Sequence, residues 1–87
     1  MKRANIYDAE SREYTSYLCI INENTGLFTI LDKNSDNKIA YGNIRGNRID
    51  VYDAKTDELI EQGNLSGQRF NLSDLKTGKC TKYGMFL

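Results

Sequence analysis

The chain has 87 residues, 39% of them apolar and 28% charged, with twelve basic and twelve acidic side chains and a formal net charge of zero. One small domain is expected, burying only roughly 60–65% of its unfolded surface, so a partner chain that completes its core would help it. The mixture excludes a disordered tail. The zero net charge argues against nucleic acid or an anionic membrane as a general electrostatic partner.

The N-terminus, MKRANIYDAESREY, has two basic residues but no apolar run behind them. It does not read as a secretory signal, and no segment is long enough to span a bilayer, so a cytoplasmic protein without membrane contact is expected. The stretch IYDAESREY opens the first of four imperfect units. Its return strand, YTSYLCII, is long and apolar, which predicts a central or doubly covered strand. The turn NENTG follows, with glycine last.

The other units repeat at an offset of 21 residues. Gly42, Asn43, Gly46, Arg48, Asp53, Lys55 and Thr56 recur as Gly63, Asn64, Gly67, Arg69, Asp74, Lys76 and Thr77. Ile44, Ile49 and Val51 align with Leu65, Phe70 and Leu72, and Phe28, Ile30 and Asp32 extend the register backward. Unit one matches at an offset of 45, with three additional residues. The anchors are Asp8, Asp32, Asp53 and Asp74. Such a repeat is one supersecondary unit that buries its face only against its neighbours.

Before each anchor the apolar residues alternate, as in Phe28/Ile30, Ile49/Val51 and Phe70/Leu72, which is strand period. A polar segment follows each anchor: DKNSDN, DAKTDE or DLKTGK. Its Asp, Asn, Ser, Thr and Gly residues suit a turn. A second apolar stretch, such as KIAYGNI or ELIEQGNL, carries a central glycine that predicts a bulge or bend. No window reads as an amphipathic helix. The expected fold is all-β: an antiparallel meander of seven or eight short strands built from four hairpin repeats of about 21 residues. It can close into a small barrel, fold into a sandwich, or stay a curved sheet that needs a second layer, for which a homodimer is the simplest source.

The stretch DKNSDNKI, residues 32–39, resembles the start of a calcium loop, with oxygen-bearing Asp32, Asn34 and Asp36 alternating. A calcium loop also wants a bidentate carboxylate at its twelfth position, and here that position is Asn43. The repeat supplies a stronger objection. Asp32 has an Asp in every unit, whereas Asn34 aligns with Glu10, Lys55 and Lys76. The shared Asp is the residue a turn needs, because its carboxylate accepts downstream backbone N–H groups. No metal site is expected.

The column beside each anchor reads Tyr7, Leu31, Tyr52 and Ser73, on the face opposite the core row. Tyr7, Leu31 and Tyr52 form a candidate interaction rim, since tyrosine suits interfaces. The alternative is that they cover a second layer. Arg48 and Arg69, at equivalent polar-face positions, belong to the same candidate interaction surface, although cross-strand ion pairs with neighbouring carboxylates are the first expectation for them. The last 21 residues carry Arg69, Lys76, Lys79 and Lys82 against the single acid Asp74, a local hint of an acidic partner.

Catalysis finds no foothold. Histidine is absent, no activated nucleophile motif appears, and no glycine-rich phosphate loop implies a cofactor. Cys19 and Cys80 are read as two buried thiols in a reducing compartment. Two glycosylation sequons, Asn64-Leu65-Ser66 and Asn71-Leu72-Ser73, carry no weight without a secretory signal. The functional expectation is a non-enzymatic module for protein–protein contact or self-assembly. A small-ligand or glycan-binding module using the tyrosine rim is the second reading.

Overall fold

The alternating rows become eight strands in the computed structural model, which describes residues 2–86. They are β1 (Lys2–Asp8), β2 (Tyr14–Ile21), β3 (Leu27–Asp32), β4 (Lys38–Arg45), β5 (Arg48–Asp53), β6 (Leu59–Ser66), β7 (Arg69–Asp74) and β8 (Cys80–Phe86). Each strand pairs antiparallel with the next, and β8 returns to pair with β1. The meander is therefore a closed barrel, and closure removes the free edges that invite pairing with another chain. No helix among the described residues is long and apolar enough to cross a membrane.

Eight strands enclose a space that side chains can fill. The aliphatic row predicted as core fills it: Ile6, Ile30, Val51 and Leu72 on the outgoing strands are all buried. One step along, large faces small across three hairpins. Phe28 pairs with Gly42, Ile49 with Gly63 and Phe70 with Gly84, whereas in the first hairpin two small residues, Ala4 and Cys19, meet. A Cβ on Gly84 would lie 2.5 Å from the Phe70 ring and 2.6 Å from the Asn5 carbonyl oxygen; one on Gly42 would collide with the Asp50 carbonyl and the Phe28 ring. The central glycines thus admit a ring and a neighbouring backbone, and each of the two phenylalanines contributes roughly 2–3 kcal/mol by leaving water. A void of about 10 Å³ lies among the core side chains Phe28, Ile30, Phe70 and Leu72.

The expected bulge does occur, but three residues before each central glycine. Ile39, Ile60 and Thr81 have no cross-strand partner. Their carbonyls accept N–H groups from Ala54, Leu75 and Ala9, which tie each bulge to a neighbouring turn. Closure selects among the alternatives. β2 is central, paired with β1 and β3, rather than doubly covered: one face lines the barrel, and its outward Leu18 lies beside Leu31. A second copy is not needed to cover the core, because the barrel covers itself.

The anchor turns are built as read. In each of the four, the Asp N–H donates to the carbonyl five residues on, and its own carbonyl accepts an N–H from four residues on. The residue at that fourth place has positive φ: Arg12, Asp36, Asp57 and Gly78. Each Asp carboxylate caps the turn. Asp53 Oδ1, for example, accepts the Lys55 and Thr56 N–H groups at 2.7 and 3.1 Å, and Asp32 Oδ1 accepts that of Asn34 at 2.9 Å. These bonds hold the Asp8 and Asp53 carboxyls below the ordinary value of 3.8. The NENTG turn is a fifth copy at the opposite end of the barrel. Asn22 replaces the aspartate, and Gly26 takes the positive-φ place.

Candidate functional site

The outer face carries the predicted rim residues, but not as one rim. Tyr7 is on β1 and Tyr52 on β5, four strands apart in a ring of eight, so they face opposite sides. Each is half of a stacked pair. Tyr7 lies against Tyr83 of β8, with centroids 5.3 Å apart and rings 13° from parallel. Tyr52 lies against Tyr41 of β4, at 5.6 Å and 16°. Leu31 sits between the two sides beside Leu18.

The pairs arise because register sets the two tyrosines directly across a ladder, where aromatic neighbours attract. Tyr41 and Tyr83 each precede a central glycine, so the strand that turns glycine inward turns tyrosine outward. The recurrence of Tyr-Gly at 41–42 and 83–84 was the sequence signal for Tyr83. It shows only at an offset of 42, twice the repeat.

The two sides differ in their polar surroundings. The Tyr41 hydroxyl donates to Asp57 Oδ1 at 2.5 Å, a bond that raises the Tyr41 pKa above its ordinary 10.0. Lys38 Nζ stands 5.0 Å from the Tyr41 centroid. Nearby, Arg48 Nε pairs with Asp50 at 3.3 Å along the same strand rather than across strands as expected, and Gln62 also donates to Asp50.

On the other side, Tyr14 meets Tyr7 edge-on at 5.6 Å, and its hydroxyl donates to Asn5 Oδ1 at 2.9 Å. Lys33 Nζ covers the Tyr14 ring at 3.7 Å. Across the strands, the row Asn71–Tyr83–Tyr7 lies next to the row Arg69–Met85–Asn5. Met85 is 45% exposed. Three open depressions share Tyr83 as a wall. One of about 470 Å³ is lined by Asn5, Tyr7, Arg69 and Met85. One of about 330 Å³ includes Asn64, Ser66 and Asn71, and one of about 440 Å³ includes Arg12, Asn71 and Cys80. None of the three has a carboxylate in its lining.

Two further expectations change. Cys19 is buried in the core, which pushes its thiol up to about 12, but Cys80 is exposed. Lys82 adds less to the surface charge of the last 21 residues than expected, since only 26% of its side chain is exposed. It turns into the barrel end and meets buried Glu61 at 2.9 Å, where the Thr81 hydroxyl also donates to Glu61 at 2.5 Å. Glu61 and Lys82 occupy the repeat place that Ala40 fills in the second unit.

The chain matches no protein-family model, no curated protein and no solved structure.

Proposed function

We propose that this barrel is a non-enzymatic binding module whose outer face over β7, β8 and β1 receives a protein partner. The observation that carries this reading is the convergence of three depressions on Tyr83, among Tyr7, Met85 and Arg69. Tyr, Met and Arg are the residues enriched where protein surfaces meet, and a rigid tyrosine loses little entropy on contact. The Tyr41–Tyr52 side supports this role less well, because the Tyr41 hydroxyl is already bound to Asp57.

A closed barrel with a filled interior offers neither a free strand edge nor an internal ligand chamber. A heterologous partner therefore fits better than self-assembly through edges. The glycan reading moves to the same face, since Tyr83 lies between the Asn71 and Tyr7 positions and near Asn5. Loss of binding when a simple sugar is added in excess would favour it.

Site-specific cross-linking tests the main reading. Benzoylphenylalanine replaces Met85 or, beside Tyr41 on the opposite side, Thr29, in the cells that make the protein. The expected result is a discrete protein adduct from position 85 that disappears in the Tyr83→Ala background. Equal adducts from both positions, or none from position 85, would overturn the reading.

A further inference from the structure

We infer that the element docking on the Tyr83 face is an acidic, extended peptide segment, with carboxylates near Arg69 and Arg12 and an apolar side chain on Tyr83 between them. This rests on the binding face proposed above and adds the chemistry of its occupant.

Equivalent positions around the barrel carry the argument. On β5, Arg48 is followed two residues later by Asp50, and the two form an ion pair. On β7 the same spacing gives Arg69 and Asn71; on β1 it gives Arg3 and Asn5. The repeat keeps the arginine and replaces the acid with a neutral amide, only on the strands that flank Tyr83. Arg69 lines two of the three depressions, and no carboxylate lines any of them. A protein of zero net charge thus sets Arg69 beside two depressions with no carboxylate in their lining, where electrostatic complementarity selects a negative group, although the Arg12 turn also carries Asp8, Glu10 and Glu13.

Arg12 is the second observation. It lines the depression at the other end of Tyr83 and sits at φ 62, the left-handed place in its turn. The other anchor turns put Asp36, Asp57 and Gly78 there. A long cationic side chain is an unfavourable choice for that backbone, and residues held in disfavoured backbone regions concentrate at binding sites.

Spacing points to an extended peptide. Arg69 is level with Met85, and the Arg12 depression reaches Cys80, five residues along β8. At strand rise this is roughly 15 Å, close to the span between same-face carboxylates four residues apart in an extended segment. The amides of Asn5, Asn64 and Asn71 between the arginines suit the polar backbone of such a segment. The zero overall charge favours a short acidic stretch over a nucleic-acid strand, whose binding draws on several phosphate contacts.

The experiment titrates the ¹⁵N-labelled full chain with a synthetic heptapeptide carrying glutamates at its first and fifth positions and leucine at the third, all on one face of an extended segment. A peptide with glutamine in both places and an oligothymidylate of eight nucleotides are run in parallel. The inference expects amide shifts confined to β7, β8, β1 and the 8–13 turn, abolished by added salt and absent with the glutamine peptide. Arg69→Ala and Arg12→Gly should each weaken binding about fivefold, the size of one exposed ion pair. Arg12→Gly serves as the discriminating variant, because Gly78 shows that the turn accepts glycine, so folding should be kept while binding falls. No shifts with the acidic peptide, equal shifts with the glutamine peptide, or tighter binding of the oligonucleotide would overturn the inference. A specific cross-link from position 85 together with a silent peptide titration would overturn this charge assignment alone and leave the binding face standing.

Discussion

Tyr7–Tyr83 and Tyr41–Tyr52 stack in nearly the same geometry on opposite sides of one barrel. The likeness comes from the repeat. Both pairs flank a strand that turns a glycine under a phenylalanine ring, so the outward stack accompanies the inward packing. The difference comes from what surrounds them. Around Tyr41 most polar groups are matched: Asp57 takes the hydroxyl, and Asp50 takes Arg48 and Gln62, while the buried Asn43 Oδ1 opposite Asp50 has no hydrogen-bond partner. Around Tyr83, Asn71 and Asn5 stand where an acid would, and Arg69 and Arg12 border open depressions. A repeated feature marks the scaffold, and the departures from it on one side support the proposed binding face.

The largest effect tests the shared scaffold. Gly84→Ala and Gly42→Ala should each cost about 3 kcal/mol or more, because in both cases the new methyl meets a neighbouring backbone carbonyl as well as a ring. Urea denaturation measures this. A difference of several kcal/mol between the two variants would break the equivalence of the sides.

Glu61→Ala sharpens the comparison next. It leaves the Lys82 ammonium without its acceptor and the Thr81 hydroxyl with only its longer bond to the Leu72 carbonyl at 3.4 Å, whereas Ala40 stands behind Tyr41. A fully buried broken pair costs about 3–5 kcal/mol; Lys82 keeps 26% of its side chain in water, which reduces the expected loss to about 2 kcal/mol. Glu61→Ala with Lys82→Met should recover much of it. Failure to recover would place the cost in packing rather than in the unpaired charge.

The smallest effect lies in the turns beside Tyr7 and Tyr52. The depressed pKa values of Asp8 and Asp53 mean that the folded state prefers both carboxylates ionised. Their contribution is present above the unfolded value of 3.8 and is lost as pH falls through the folded value. Asp8→Asn and Asp53→Asn should flatten the acid limb of the stability curve alike while preserving the turn, as Asn22 does in the fifth copy. An unchanged limb in both variants would remove the carboxylates as its source.

Much of the fold is legible in the sequence because its signals are local and repeated. Strand alternation, the anchor aspartate and the 21-residue offset together specify the hairpins, and the rows Phe28/Ile30 and Phe70/Leu72 name the core directly. Closure is a long-range property. It depends on the bulges at Ile39, Ile60 and Thr81 and on the close packing that Gly42, Gly63 and Gly84 allow, which no single window contains. The candidate site is legible in part for the same reason. Tyr7 and Arg69 stand out within their units, but the neighbours that matter come from β8, which reaches β1 only when the barrel closes. Lys82 shows the cost of counting charges along the chain, since the bulge at Thr81 and the facing Glu61 lower its share of the surface total.

The most direct test compares the two sides in one binding experiment. The partner cross-linked at position 85 is identified by mass, purified, and titrated against Tyr7→Ala/Tyr83→Ala and Tyr41→Ala/Tyr52→Ala proteins whose folding has been verified. The expected result is a loss of about tenfold or more for the first, the scale of truncated interface tyrosines, and a change within about twofold for the second. Equal losses, or a larger loss from the Tyr41–Tyr52 variant, would contradict the assignment of function to the Tyr83 face.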